Sequence, residues 1–151
     1  MSTERSDDVS DLIAALRLEP HPEGGWYRRT WTAAPDRGDD SSGPRAAGSS
    51  IIYLLDAEVS RWHRIDATEL WHHTGGDPVQ LSRWADDGTP IRVDVLGGDP
   101  VQGQVQVTVE PGTWQSATSL GAWSLVVCVV IPEFRFEGFE LAEEGWEPPQ
   151  Q

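Results

Sequence analysis

Hydrophobic and polar positions change period once along this chain. Near the start, Val9, Leu12, Ile13, Leu16 and Leu18 recur at close to helical spacing. That stripe predicts one short amphipathic helix, with Ser6 or Ser10 available as its N-cap. The segment Glu19–Gly25, rich in proline and glycine, stops it, because proline removes a backbone donor and glycine accepts turn geometry. Beyond it, apolar residues alternate with polar ones or run in short β-branched stretches, the pattern of half-buried and buried strands. Strands are predicted over residues 26–31, 49–55, 60–65, 69–74, 79–84, 90–96, 101–109, 114–117 and 123–131, with a last strand or irregular segment over 134–141. Gly75–Pro78, Asp86–Gly88, Gly97–Pro100 and Pro111–Gly112 punctuate them. Many short strands at intervals of about ten residues, separated by Gly and Pro, predict an all-β sandwich or barrel. A polar stretch over residues 33–48 is read as a mobile loop, and residues 1–8 and 143–151 as flexible tails. No internal repeat interrupts the pattern, so residues 1–151 are read as a single domain.

Charge narrows the partners. The net charge is −14, with 25 acidic and 11 basic residues, and every basic residue is arginine. A field of that sign repels phosphate backbones and anionic lipid, so neither nucleic acid nor membrane is expected as a partner. Without lysine there is no Schiff-base nucleophile for pyridoxal phosphate and no phosphate loop of the Walker type. The one cysteine, Cys128, sits in the apolar run Leu125–Ile131, where a thiol is ordinarily inert packing. No run of about twenty apolar residues is present, and Met1–Asp11 is polar and acidic without the apolar core of a secretory signal. These features together give a cytoplasmic location as the expectation.

The densest candidate chemistry lies in Ser60-Arg-Trp-His-Arg-Ile65 and Glu69-Leu-Trp-His-His73. Alternation in a strand puts His63 and Ile65 on one face, and Glu69, Trp71 and His73 on one face of the next strand. If His63 points inward, Glu69 is expected beside it on the adjoining strand. An imidazole beside a carboxylate is a pair tuned for proton transfer, although a solvated surface hairpin has the same spacing. Arg45, just before the 49–55 strand, is a candidate anchor for an anionic ligand. His21–Gly25 is a candidate cover for a pocket mouth, or simply a helix stop.

Several stretches occur together in order: His21-Pro-Glu-Gly-Gly-Trp-Tyr27, Ile51–Leu55, Ser60–His63, Glu69–His72 with Gly76-Asp-Pro78, Gln106, Pro111-Gly-Thr-Trp114 and Ile131-Pro-Glu-Phe134. In these the chain resembles the cupin superfamily, and within it the Cupin_5 family. The resemblance implies a double-stranded β-helix, a cupin jelly-roll barrel, that forms a homodimer through its sheet and N-terminal segments. It implies a pocket lined by Tyr53, Ser60, His63, Glu69, Trp71, Gln106 and Gln115, with Trp71 and Trp114 available to stack on a ligand ring. Metal-binding cupins place a second histidine where Ile65 stands, and a third where Gln115 stands. Two of four ligand positions are thus an aliphatic side chain and a neutral amide, which suit a transition metal poorly. If a divalent metal is held, His63, Glu69 and Gln115 are its ligands, with His73 as a substitute.

The leading expectation is therefore a small-molecule enzyme of isomerase, epimerase or cyclase type that works without a cofactor. In it His63 is the base, Glu69 tunes it, and Tyr53 or a water returns the proton. A divalent-metal oxygenase or lyase, and a binding module with no chemistry, are the alternatives.

Overall fold

The computed structural model describes residues 2–33, 44–56 and 59–149, so most of the expected 33–48 loop lies outside the described residues. Helix α1 (Ser2–Leu16) leads into β1 (Glu19–Pro20), β2 (Trp26–Thr32) and β3 (Ser49–Leu55). Then come β4 (Ser60–Ile65), β5 (Thr68–Gly76), β6 (Val79–Trp84), β7 (Arg92–Leu96), β8 (Gln106–Val109), β9 (Trp114–Ser119), β10 (Ser124–Ile131) and β11 (Phe139–Leu141). The strands form two antiparallel sheets, one in the order β1-β2-β3-β10-β5-β8 and the other in the order β11-β4-β9-β6-β7. This is the all-β architecture that the pattern predicted, in the form of the double-stranded β-helix that the resemblance implied.

Strand β10 shows why the sequence folds this way. Its alternate residues Ser124, Val126, Cys128 and Val130 are buried, and those between them are only half-buried. Hydrogen-bonded between β3 and β5, it needs apolar residues on both faces, hence its continuous apolar run. Its inner face joins Tyr53, Leu55, Trp71, Val79, Leu81, Leu96 and Val107 in one cluster. That cluster fills one half of the barrel and leaves the half toward Val130 and Ile65 for a cavity.

The 134–141 segment, expected as a last strand or an irregular segment, is a 3-10 turn, Phe136–Gly138, that leads into β11 and passes over the cavity. Three local expectations give way. The strand expected from Val101 begins only at Gln106, because Asp99 folds a turn: its carbonyl accepts the Gln102 and Gly103 N–H groups, and its carboxylate accepts that of Val101. The helix begins at Ser2, earlier than its apolar stripe indicates. The stretch from 143 to 149 is not a free tail, since Trp146 packs on Trp62, Trp84 and Trp114 at centroid separations of 6.3, 6.1 and 4.7 Å. Burying a large ring against three others offsets the entropy of ordering a short segment. Among the described residues no helix is long and apolar enough to cross a membrane.

Candidate functional site

The His21–Gly25 segment is a wall of the barrel, docked by a chain of hydrogen bonds. His21 N–H donates to the Gly25 carbonyl at 2.9 Å, and Arg61 N–H on β4 donates to the Glu23 carbonyl at 2.7 Å. The Tyr53 hydroxyl donates to the Gly24 carbonyl at 2.5 Å. Gly25 has a φ of +76°, and a Cβ there would come within 2.7 Å of the Leu54 carbonyl oxygen. No other residue fits so close to β3 in that conformation. The consequence is to fix Glu23, which is 6% exposed, inside the barrel.

Glu23 is the carboxylate that His63 meets. His63 Nδ1 lies 3.0 Å from Glu23 Oε2 and 2.7 Å from the Arg61 carbonyl oxygen. Both are acceptors, so Nδ1 carries the proton and Nε2 is the nitrogen left for the cavity. The Ser60 hydroxyl also donates to Glu23. Burial alone would push His63 toward its neutral form, but Glu23, through charge and hydrogen bond, outweighs it and lifts the pKa to about 9. Reciprocally, burial raises Glu23, yet His63 holds it below the ordinary carboxylate value. The second imidazole, His21, accepts the Glu23 N–H on Nδ1 at 3.1 Å, and burial lowers its pKa. The two histidines thus flank one carboxylate in opposite protonation states.

Glu69 occupies the same cavity floor and is 7% exposed. It does not adjoin His63 within one hairpin, as expected: β4 belongs to the five-stranded sheet and β5 to the six-stranded one, so the pair approaches from facing sheets. Gln115, opposite His63 in register on β9, donates its Nε2–H to Glu69 Oε1 at 2.8 Å and accepts the Trp71 indole N–H at 2.9 Å. An indole nitrogen only donates, which fixes the amide with its oxygen toward Trp71. Burial raises Glu69 and the His63 charge opposes that rise, leaving a pKa of about 7.

A cavity of about 370 Å³ opens above these groups. His63 and Glu69, singled out from sequence, line it together with His21, Glu23, Cys128 and Ile65. Tyr53, Ser60, Trp71 and Gln115 are buried but stand behind it, with their polar atoms spent on Gly24, Glu23, Gln115 and Glu69. Tyr53 therefore does not return a proton to a ligand, and burial raises its pKa well above 10. Trp71 does not stack on a ligand for the same reason.

Four further candidates lie away from the floor. His73 is four residues along β5 from Glu69, about 13 Å at strand rise, and its Nε2 is 3.0 Å from the Asp77 carbonyl oxygen. Gln106 points off the opposite face, where its Nε2 meets His72 at 2.7 Å. Trp114 has the opposite parity to Gln115 and packs outside the barrel beneath Arg64, whose guanidinium carbon lies 4.7 Å from the ring centroid. Arg45 is engaged by Asp66 at 2.8 Å and by the Glu133 carbonyl at 2.6 Å, so it is a structural tie rather than a ligand anchor.

The sequence reading gave His21–Gly25 only as a pocket cover or a helix stop, with no role for the His21 or Glu23 side chain, and it missed Arg29, Glu133 and the Phe134–Phe139 wall. Their only signal was the matching stretches: His21–Tyr27 holds His21 and Glu23, and Ile131–Phe134 holds Glu133 and Phe134. A metal suits this floor poorly. Gln115 presents N–H to Glu69, and its oxygen already accepts the Trp71 indole N–H, so it offers an ion only a weak, neutral oxygen held toward Trp71. Among the described residues no group of three or more His, Cys, Asp or Glu side chains is placed to hold one.

Similarity to known proteins agrees with this architecture. Protein SO0799 from Shewanella oneidensis superposes with a TM-score of 0.78 at 34% identity, over 88% of this chain and 83% of that one. A hypothetical protein from Leishmania major gives 0.76 at 28% identity, over 87% and 85% of the two chains. A Bacillus subtilis oxalate decarboxylase variant gives 0.60 at 14% identity, over 81% of this chain but 29% of that one, a likeness of fold alone. No curated protein matches. The family described as Cupin superfamily (DUF985), Cupin_5, matches residues 10–142, and the chain belongs to it.

Proposed function

We propose that the barrel cavity is an acid–base site that isomerises a small carbonyl compound without a metal, with Glu69 as the base and the His63 imidazolium as the acid. This departs from the roles expected from sequence, where His63 is the base, Glu69 tunes it and Tyr53 or a water returns the proton. An imidazole with a pKa of about 9 is charged at neutral pH and cannot accept a proton, whereas a carboxylate with a pKa of about 7 can both take and return one. The observation that supports the reading is the 3.0 Å His63–Glu23 contact, which turns a charged N–H donor toward the cavity beside Glu69.

In the proposed step, Glu69 removes a proton from the carbon next to the substrate carbonyl. The C–H electrons form the enol C=C, and the carbonyl oxygen takes the His63 Nε2 proton. Reversal with the proton returned to the other face of the same carbon gives an epimer; where that carbon carries a hydroxyl, the intermediate is an enediol, and Glu69 protonates the former carbonyl carbon while the hydroxyl gives up its proton to His63 Nε2, forming the new C=O of the isomer. The test is deuterium incorporation: candidate carbonyl compounds are incubated with protein in deuterated buffer and followed by NMR. Exchange that is catalysed by the native chain and lost in Glu69→Gln and His63→Asn supports the site. A compound that binds in the cavity but exchanges no faster than in buffer identifies a binding module instead and overturns the proposal.

A further inference from the structure

We infer that His21 is a second hydrogen-bond donor of the cavity floor, and that the substrate carries a hydroxyl on the carbon next to its carbonyl. The inference rests on the acid–base reading above and names the class of compound for that site, an α-hydroxy ketone or aldehyde. His21 is 8% exposed and lines the cavity with His63 and Glu69. Its ring is fixed from several sides. Gly24 N–H donates to the His21 carbonyl at 3.0 Å, closing the turn that carries the ring. Tyr27, Tyr53 and Phe139 stand edge-to-face with the imidazole at centroid separations of 4.6, 5.6 and 6.2 Å.

The same turn decides the tautomer. Glu23 N–H donates to His21 Nδ1 at 3.1 Å, so that nitrogen holds a lone pair; a hydrogen there would face another hydrogen. The Glu23 carboxylate acts on this ring through charge alone, with Oε1 3.3 Å from Nδ1. Burial, reinforced by the His63 charge, outweighs that pull and keeps the ring neutral. A neutral imidazole that accepts on Nδ1 carries its hydrogen on Nε2. Among the described residues this Nε2 meets no hydrogen-bond partner. A donor so nearly buried is costly to leave unpaired, and a ligand oxygen is the partner that fits it.

Two imidazoles therefore offer the cavity two unlike donors, a charged N–H on His63 and a neutral one on His21. They rest on the two oxygens of one carboxylate, His63 Nδ1 3.0 Å from Glu23 Oε2 and His21 Nδ1 3.3 Å from Oε1. They thus serve neighbouring atoms of one ligand rather than its distant ends. Ile65, Val130 and Phe139, also in the lining, have no polar side-chain atom to hold a second oxygen. The charged donor suits the carbonyl oxygen, which gains negative character as Glu69 removes the proton. The neutral donor suits the hydroxyl oxygen, whose own hydrogen is then turned toward His63. That hydrogen is the one His63 takes in the isomerisation. His21 itself neither gains nor loses a proton.

Two measurements on the full chain test this. The first needs no ligand: long-range proton–nitrogen NMR of the histidine rings at pH 7, with His21→Gln to assign the resonance, reads the tautomer. His21 is expected with a bare Nδ1 and a protonated Nε2; a hydrogen on Nδ1, or a charged ring, overturns the inference. The second is NMR titration with acetoin, a small α-hydroxy ketone, and with butanone, which lacks only the hydroxyl. Acetoin is expected to bind at least about fivefold more tightly. In His21→Phe that preference should fall below about twofold with butanone affinity unchanged, and His21→Gln, which keeps an N–H, should restore part of it. A His63 midpoint still near 9 shows that Glu23 keeps its place in these variants. Equal affinities in the native chain, a preference that survives in His21→Phe, or no acetoin binding overturns the inference. Glu69→Gln should abolish exchange yet keep the preference for acetoin, so a failed acid–base reading and a failed assignment of His21 give different results.

Discussion

Replacing Glu23 with glutamine removes one charge from a buried pair and keeps its shape. In the native chain His63 titrates at about 9, against an ordinary value of 6.5. At about 1.4 kcal/mol per pH unit, that difference is worth about 3 kcal/mol. A raised imidazole pKa stabilises the fold fully below pH 6.5, and the contribution is lost as pH rises through about 9. Once Glu23 is neutral, burial dominates and the midpoint should fall below 6.5. Histidine ring NMR over pH 5–10, with His63→Asn to assign the resonance, measures the shift directly. Urea denaturation should show Glu23→Gln destabilised by about 3 kcal/mol near pH 6, with the gap closing toward pH 10. An unchanged His63 midpoint in Glu23→Gln would refute the assignment of Glu23 as the partner that keeps the imidazole charged.

Other substitutions test the remaining parts of the site and fold. Glu69 carries the opposite cost: its pKa of about 7 means that ionisation costs stability as pH rises from about 4.5 through 7. Glu69→Gln should therefore raise the melting temperature at pH 8 by several degrees while abolishing exchange, and a fall would contradict the burial argument. Gln115→Leu leaves both Glu69 and the Trp71 N–H without their partner, and denaturation should show a loss of about 2–4 kcal/mol. Gly25→Ala has to move the wall segment off β3, so a loss of more than about 1 kcal/mol and a lowered His63 midpoint are expected together. Trp146→Ala should cost about 2–3 kcal/mol and open residues 143–149 to proteolysis, whereas the exposed Trp31→Ala should cost less than about 0.5 kcal/mol.

How much of this was legible follows from what strand alternation encodes. Strand patterning located β3, β4, β6 and β10 and sorted His63 onto a face with Ile65 and Glu69 onto a face with Trp71, but it left open whether those faces turn inward. It did not encode which sheet each strand joins. The chain crosses from one sheet to the other between β4 and β5, so two residues read as hairpin neighbours meet across the barrel. Nor does parity say how far along a strand the cavity extends: His73 has the parity of Glu69 but lies beyond the packed cluster. The largest omission was Glu23. Pro22, Gly24 and Gly25 read as a helix stop, and the same glycines are what let a carboxylate be pressed into the interior. Trp146 was hidden by Pro148, Pro149 and the surrounding acidic residues, whose composition signals a tail even when one ring anchors it.

The central claim is that a neutral-range carboxylic acid and a persistently charged imidazole work together at one cavity floor. The pH profile of deuterium incorporation into a bound carbonyl compound tests it most directly. The account predicts a bell with limbs near 7 and near 9, no exchange above buffer at any pH in Glu69→Gln, and the upper limb moving to lower pH in Glu23→Gln. A profile that peaks below pH 6, or one that survives both substitutions unchanged, would contradict it.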